Sequence, residues 1–405
     1  MPIGIMKIKG ADGTVHSVPA LKGDASMWYT GTAVTGTGTG IAATVTGSKQ
    51  YDMYLNTTTK RVYQATNTNV WDYKFTNVSH YDARFVIGNT SAGYTADQCD
   101  YLCDGTDDQV EINAAIAALP ATGGKIVLLD GAYNITANIT DNGKAPTELC
   151  GTEAARLTFT VGAKIAFYQA NCSIHDLTLI GVSTTEAQDV VYTQSDNIHI
   201  YNLHIIKGTI HCYAASNTRI TNNKIDNINS VCWGIYVYGN HGIIISGNHI
   251  SDAYYGINIF GGSRANIVNN VIINARYRSV YFDSCEDVVV TDNNLVNNFG
   301  TNTDDYCAIH CKTCFQMLFN GNNITVTQSS TGIFHCIIFD NCDRSMLHNN
   351  KIKSNSTTTP VTLTNSCHRI SCANNAVLSY ATGSIDSTGS DNISIVNTVA
   401  WSYTG

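Results

Sequence analysis

The feature that most constrains this chain is a short repeat running from Val190 to Ala400 with an asparagine at its hinge. The segments Ile200–Ile205, Ile220–Ile225 and Ile245–Ile250 align on one frame: apolar, two small or polar residues, a pivot, any residue, apolar. Pivots fall at Leu203, Asn223, Asn248, Asn270, Asn293, Asn322, Asn350, Asn375 and Thr398, so seven consecutive repeats carry Asn there. A second segment precedes each pivot, as in Gly234–Asn240, Ser279–Cys285 and Cys336–Cys342, and always ends eight residues before it. Repeat length varies from 20 to 29 residues, and all of the variation lies between one pivot and the next strand. Short alternating apolar runs predict strands, and a period of this length predicts a solenoid with its insertions on one side.

Stacking explains the residue types. Successive coils of a parallel strand solenoid lie about 4.8 Å apart, so equivalent residues form ladders. An inward Asn satisfies its amide by bonding to the Asn above and below, where an unpaired amide would be costly. Flanking apolar columns, such as Ile220, Ile245, Ile267, Val290, Phe319 and Leu347, supply the core.

Composition supports strands and narrows the partners. Only 13% of the residues are charged, with 33 Gly and 5 Pro, which fits many short strands and turns. A formal charge of −8 without any basic run argues against nucleic acid, which requires clustered Lys and Arg. The N-terminus lacks the apolar core of a secretory signal, and no run approaches 18 apolar residues, so neither signal-directed export nor a membrane span is expected. Fourteen cysteines raise the question of metal or disulfides, and Cys311-Lys312-Thr313-Cys314 has the spacing of half a zinc site. Yet Cys285, Cys314, Cys342 and Cys367 share one column, and Cys311 aligns with Val237, Ile259, Phe282 and Phe339. Small buried hydrophobes are the simpler reading, and no metal or cofactor is expected. Cys99, Cys103 and Cys150 remain able to pair if oxidised.

In chain order, residues 1–80 form a β-rich module in which Tyr51–Tyr63 reads as a hairpin and Trp71–Lys74 closes the unit. Residues 81–123 read as a linker and a helix. Thr106 or Asp107 can cap that helix, Pro120 ends it, and its place before the first coil lets it cover the open core. The β-helix proper spans 124–405. The Asp104-Gly105-Thr106-Asp107-Asp108 stretch, the helix with Ile112-Asn113-Ala114-Ala115-Ile116, and Gly123-Gly124-Lys125-Ile126-Val127 before Gly131-Ala132-Tyr133 resemble the opening signature of pectate-lyase-like right-handed β-helices. The first module, with Met27-Trp28-Tyr29 and Met53–Thr59, resembles adaptor units of bacteriophage and prophage tail fibre and tailspike proteins. Together these imply an all-β fold: a single-stranded right-handed parallel β-helix with a capping helix and a small N-terminal adaptor.

The longest insertions, 296–307 and 325–335, are neighbours in the stack. By alternation, Asp283, Lys312 and Asp340 face outward in one column, with Asp304, Asp305 and His310 nearby. Paired carboxylates about 5 to 9.5 Å apart are the minimum for glycosidic hydrolysis, so these six residues are the catalytic candidates; a solvated salt-bridge ladder is the bland alternative. Asn302-Thr303-Asp304-Asp305 faintly resembles a polygalacturonase motif, though that family's Gly-His-Gly and Arg-Ile-Lys segments are missing. Arg276 and Arg278 could neutralise an acidic sugar or act as the base of β-elimination. Trp233, Tyr236, Tyr238, Tyr255 and Tyr281 complete the substrate-binding candidates, as outward rings on which sugars stack or which a neighbouring subunit covers.

The resemblance implies a tailspike or tail fibre protein of a virion. It would be made in the host cytoplasm, assemble as a homotrimer, and join other tail or baseplate proteins through its N-terminal module. It would recognise, and in one version depolymerise, a bacterial surface polysaccharide. A non-catalytic receptor-binding or structural tail protein, and a free polysaccharide lyase or glycoside hydrolase, are the alternatives.

Overall fold

Three strands, rather than two, make each coil. The frame segment breaks at the residue before its pivot: His199–Tyr201 lies in one sheet and His204–Ile206 in the next, with Asn202 between them at φ 52°. Asn222, Gly247, Asn269, Asp292, Gly321, Asn349 and Asn374 repeat that left-handed corner. Only Gly, Asn and Asp occupy it, the residues that tolerate positive φ at least cost.

The computed structural model describes residues 83–152, 154–182, 187–228, 231–299, 306–328, 334–355, 360–379 and 393–396, together with the isolated strands 5–9, 15–19, 28–31, 53–56, 62–67, 70–73, 385–386 and 399–402. The chain forms two compact units, Met1–Ser79 and His80–Gly405. In the first unit, Ile5–Lys9 pairs with Val15–Pro19. Trp28–Gly31, Met53–Asn56, Val62–Asn67 and Val70–Tyr73 form a separate four-stranded sheet. Met53–Asn56 runs antiparallel to Val62–Asn67, with Tyr54 in register with Tyr63.

The second unit is a right-handed parallel β-helix of three sheets with fourteen, twelve and eleven strands. Within 81–123, expected as linker and helix, Arg84–Asn89 and Tyr101–Cys103 are strands that extend the first sheet. Helix α1 (Gln109–Ala118) buries Ile112, Ala115 and Ile116 against the open end. Its cap is Asp108, not Thr106 or Asp107, and the Asp108 carboxylate serves the sheet instead: it accepts from Gly105 N at 2.8 Å and Asn134 N at 2.7 Å. Gln109 and Asn113 likewise bond the backbone N–H of Thr136 and Thr140. The helix therefore closes the first strand edge by hydrogen bonding as well as by apolar cover.

Inside, the asparagine ladder is continuous. Asn223 donates Nδ2 to Asn248 Oδ1 at 2.9 Å and to Ile200 O at 3.0 Å, while its own backbone N–H also reaches Asn248 Oδ1. The pattern repeats through Asn270, Asn293, Asn322, Asn350 and Asn375. Every interior amide uses both donors and both lone pairs, which is why a polar column survives in a core otherwise made of Ile, Val, Leu and Phe. The cysteine column is also inside. None of the fourteen cysteines forms a disulfide, and Cys285, Cys342 and Cys367 direct Sγ to the carbonyls of Ile259, Cys311 and Phe339, each at 3.3 Å.

Candidate functional site

The third sheet differs from the other two in what it shows outward. Its strands Thr209–Tyr213, Ile235–Tyr238, Tyr255–Phe260, Arg278–Asp283, Tyr306–Lys312 and Phe334–Asp340 point Ile, Val, Cys and Phe inward. Strand pairing sets two outward columns. One runs Tyr213, Tyr238, Phe260, Asp283, Lys312, Asp340; the other runs Tyr192, His211, Tyr236, Asn258, Tyr281, His310, Ile338. The first column is thus aromatic over three coils and charged over the next three.

In the aromatic half, Tyr213, Tyr238 and Phe260 stack face to face, with centroids 5.1 and 5.2 Å apart and rings within 6° of parallel. All three remain more than a third exposed. Beside them Trp233 meets Tyr236 edge-on at 4.3 Å, and Tyr255 lies 5.7 Å from Tyr281. Burial pushes the Tyr255 phenol up to about 12.

In the charged half, Tyr281 is the hub. Its hydroxyl donates to Asp283 Oδ2 at 3.0 Å, and its ring lies 5.4 Å from His310 and 4.7 Å from the Arg278 guanidinium. Burial, with that hydrogen bond, raises its phenol pKa. Asp283 also accepts from Ser284 Oγ at 2.8 Å and stands 3.9 Å from Lys312 Nζ. Asp340 turns to Thr364 and Asn365, at 3.3 and 2.5 Å. Burial, with the Arg278 charge beside it, lowers the His310 imidazole to about 4, so it is neutral near pH 7.

Of the sequence candidates, Asp283, Lys312, Asp340, His310, Tyr281, Tyr255, Tyr236, Tyr238, Trp233 and Arg278 share this face. Arg276 does not join Arg278: it is exposed, whereas Arg278 is buried. Asp304 and Asp305 lie outside the described residues. The two long insertions lengthen the strands that flank them, since Asn294–Phe299 pairs residue for residue with Asn323–Gln328. Asn258 went unremarked in the sequence; it sits one coil from Tyr281 at 7% exposure. A polar residue in a column of rings was the available signal.

Two groups among the described residues bring three potential metal ligands together: Glu148, Cys150 and His175, and Cys103, Asp108 and Glu111. In the first, Lys125 Nζ lies 2.5 Å from Glu148, whose carboxylate also faces His175 Nε2 at 3.0 Å. Burial opposes the Glu148 charge, yet the bonds from Lys125 and His175 outweigh it and hold the carboxyl below its ordinary value. A cation is already in place there, so the group is a charge network. In the second, the Asp108 carboxylate is committed to the backbone N–H groups of Gly105 and Asn134.

A family model described as a right-handed beta helix region matches residues 165–333. No curated protein sequence matches the chain. Solved structures share the fold at low identity. The DFA-IIIase of Arthrobacter chlorophenolicus, in complex with DFA-III, aligns at 12% identity and TM-score 0.57, covering 76% of this chain and 94% of that one. The Dettilon tailspike protein aligns at 16% and 0.56, covering 72% and 66%. The A-module of an Azotobacter vinelandii mannuronan C-5 epimerase aligns at 14% and 0.54, covering 77% and 95%. The class is therefore a right-handed parallel β-helix. Its structural neighbours include a phage tailspike.

Proposed function

We propose that this chain recognises a bacterial surface glycan through the outer face of the third sheet, as a tailspike or tail fibre protein of a bacteriophage or prophage. The observation that carries the reading is the stacked ladder Tyr213–Tyr238–Phe260, exposed to solvent and continuous with a charged stretch. Rings stacked on one another leave their edges and the faces at the two ends of the stack as apolar surface for sugar C–H groups, while the neighbouring hydroxyl, carboxylate and ammonium groups meet sugar hydroxyls. The tail role is supported by the N-terminal module's resemblance to phage adaptors and by a neighbour that is itself a tailspike. A homotrimer on the virion, attached to other tail proteins through residues 1–79, belongs to the same reading.

Recognition is favoured over cleavage by the partners of the acids. Asp283 and Asp340 each accept two hydrogen bonds from neighbouring side chains, so both carboxylates are engaged within the protein. The test is binding and depolymerisation of a panel of bacterial surface polysaccharides by the full chain, following reducing ends and unsaturated products together. Binding without new ends is the expected result, weakened at least tenfold by Tyr238→Ala with Phe260→Ala. Cleavage would make the protein an enzyme, and failure to bind any polysaccharide would remove the glycan reading. A second reading has the exposed rings buried between subunits; the double variant would then change the oligomeric state seen by light scattering.

A further inference from the structure

Near the capped end, the outer surface of the first sheet gathers nitrogen, sulfur and oxygen donors from two adjacent coils. Glu148 and Cys150 flank Leu149 on the strand Thr147–Gly151, so Leu149 enters the core while both neighbours leave by the opposite face. His175 is in register with Cys150 one coil on, and Tyr201 with His175 a further coil on. The Cys150 sulfur, a Glu148 carboxylate oxygen and a His175 ring nitrogen consequently lie within 4.8 Å of one another. The imidazole is fixed on three sides: Nδ1 is 2.7 Å from Asp176 Oδ2, Nε2 is 3.0 Å from Glu148 Oε1, and the Tyr201 ring stacks on it at 4.3 Å. A neutral imidazole has one N–H and can donate to only one of two carboxylates. The contact left over calls for a proton or a metal. An imidazole held through one nitrogen by a carboxylate, with the other turned to further ligands, is the arrangement that metal-binding histidines take.

We infer that Glu148, Cys150 and His175 form a zinc site, with Asp176 orienting the histidine and Lys125 as the charge that zinc displaces. The inference is independent of the glycan reading. Thiolate, imidazole and carboxylate together suit zinc, whereas calcium and magnesium take oxygen alone. Tetrahedral bonds of about 2.0–2.3 Å set ligand atoms roughly 3.3–3.8 Å apart, close to the spacing of this cluster. Lys125 Nζ, 2.5 Å from Glu148 Oε1, is the cation of the charge network; its side chain is 35% exposed and has room to swing into solvent as Glu148 turns to the metal. Beside the strand lies a cavity of about 440 Å³ lined in part by Lys125, Thr147, Glu148 and Ser173. It gives the metal a way in and leaves a fourth position to water. Spacing along the chain conceals the site, because two ligands stand two residues apart on one strand and the third lies a coil away.

The experiment titrates the chelator-washed full chain with Zn²⁺ by calorimetry and with Co²⁺ by absorption. Binding of zinc at roughly micromolar affinity or tighter is expected, with tetrahedral d–d bands and a thiolate charge-transfer band in the cobalt form. Asp176→Asn should weaken zinc by the roughly 10- to 100-fold that an orienting partner is worth. Cys150→Ser should weaken it further and abolish the charge-transfer band. Lys125→Met should act in the opposite direction, tightening zinc by roughly fivefold as a competing charge pair is removed, which a misfolded variant would not do. Cys99→Ser should change neither readout. Zinc bound without a charge-transfer band in the cobalt form, or with unchanged affinity in Cys150→Ser, would overturn the inference by moving the metal to other ligands. Looser binding in Lys125→Met would overturn the displaced role of the lysine. Affinity weaker than about 100 µM would overturn the site itself and leave the cluster as a charge network alone.

Discussion

Two sets of buried polar groups lie in different parts of the β-helix, one inside at the corner between the first two sheets and one on the outer side of the third. Inside, the asparagine ladder from Asn223 to Asn375 closes every donor and acceptor on its neighbours above and below. Outside, on the third sheet, Asn258, Arg278 and His310 are almost as well hidden and leave polar atoms open. The first set repeats, so translation by one coil supplies each residue's partner; the second does not repeat, so translation supplies none. Repetition is a device for stability, and its interruption marks where a solenoid has something else to do.

The comparison breaks most visibly at Asn270. Asn270→Ala removes the acceptor of Asn248 N and Nδ2 and the donor to Ile245 O, three buried groups worth about 1–3 kcal/mol each. A loss of roughly 3–5 kcal/mol in urea unfolding is expected. A loss below about 1 kcal/mol would mean that water replaces the amide.

On the outer face the sharpest probe is pH. His310 titrates near 4 in the folded protein against about 6.5 unfolded. Its contribution is therefore full above pH 6.5 and falls as the unfolded chain takes up the proton first, by up to ~3 kcal/mol between pH 6.5 and 4. His310→Gln should flatten that part of the pH profile, and Asn270→Ala should leave its slope unchanged.

Smaller effects separate the aromatic half from the charged half. Tyr238→Ala removes two stacked pairs on a half-exposed surface and should cost about 1 kcal/mol of stability while weakening glycan binding far more. Lys312→Met removes a 3.9 Å ion pair to Asp283 whose lysine is half exposed, and a change under ~0.5 kcal/mol in thermal melts is expected. A larger value would place Lys312 in a coupled network with Tyr281 and Asp283.

Much of the scaffold was legible in the residues. The pivot asparagines, the inward Ile columns and the buried cysteines all follow from a period that places like on like. The corner was less legible, because the frame concealed a break: Asn202, Asn222 and Gly247 read as small polar filler until their φ values show them turning the chain between two sheets. The helix cap was misplaced by one or two residues because the Asp108 carboxylate is drawn to Asn134 in a strand distant in sequence. Alternation was enough to set Asp283, Lys312 and Asp340 in one column. It did not reveal that Asp340 would turn away to Thr364 and Asn365, nor that Arg278 would be buried beside Tyr281 while Arg276 faced solvent.

The sequence by itself determined the coil, its ladders and the face on which insertions gather, because each depends on spacing along the chain and on a repeat that makes near and far neighbours equivalent. Only the tertiary structure decided which outward side chains meet and which polar atoms end without partners. Those outcomes depend on ring orientation and burial between coils some twenty to thirty residues apart, where the repeat is broken and translation no longer predicts what lies next to what.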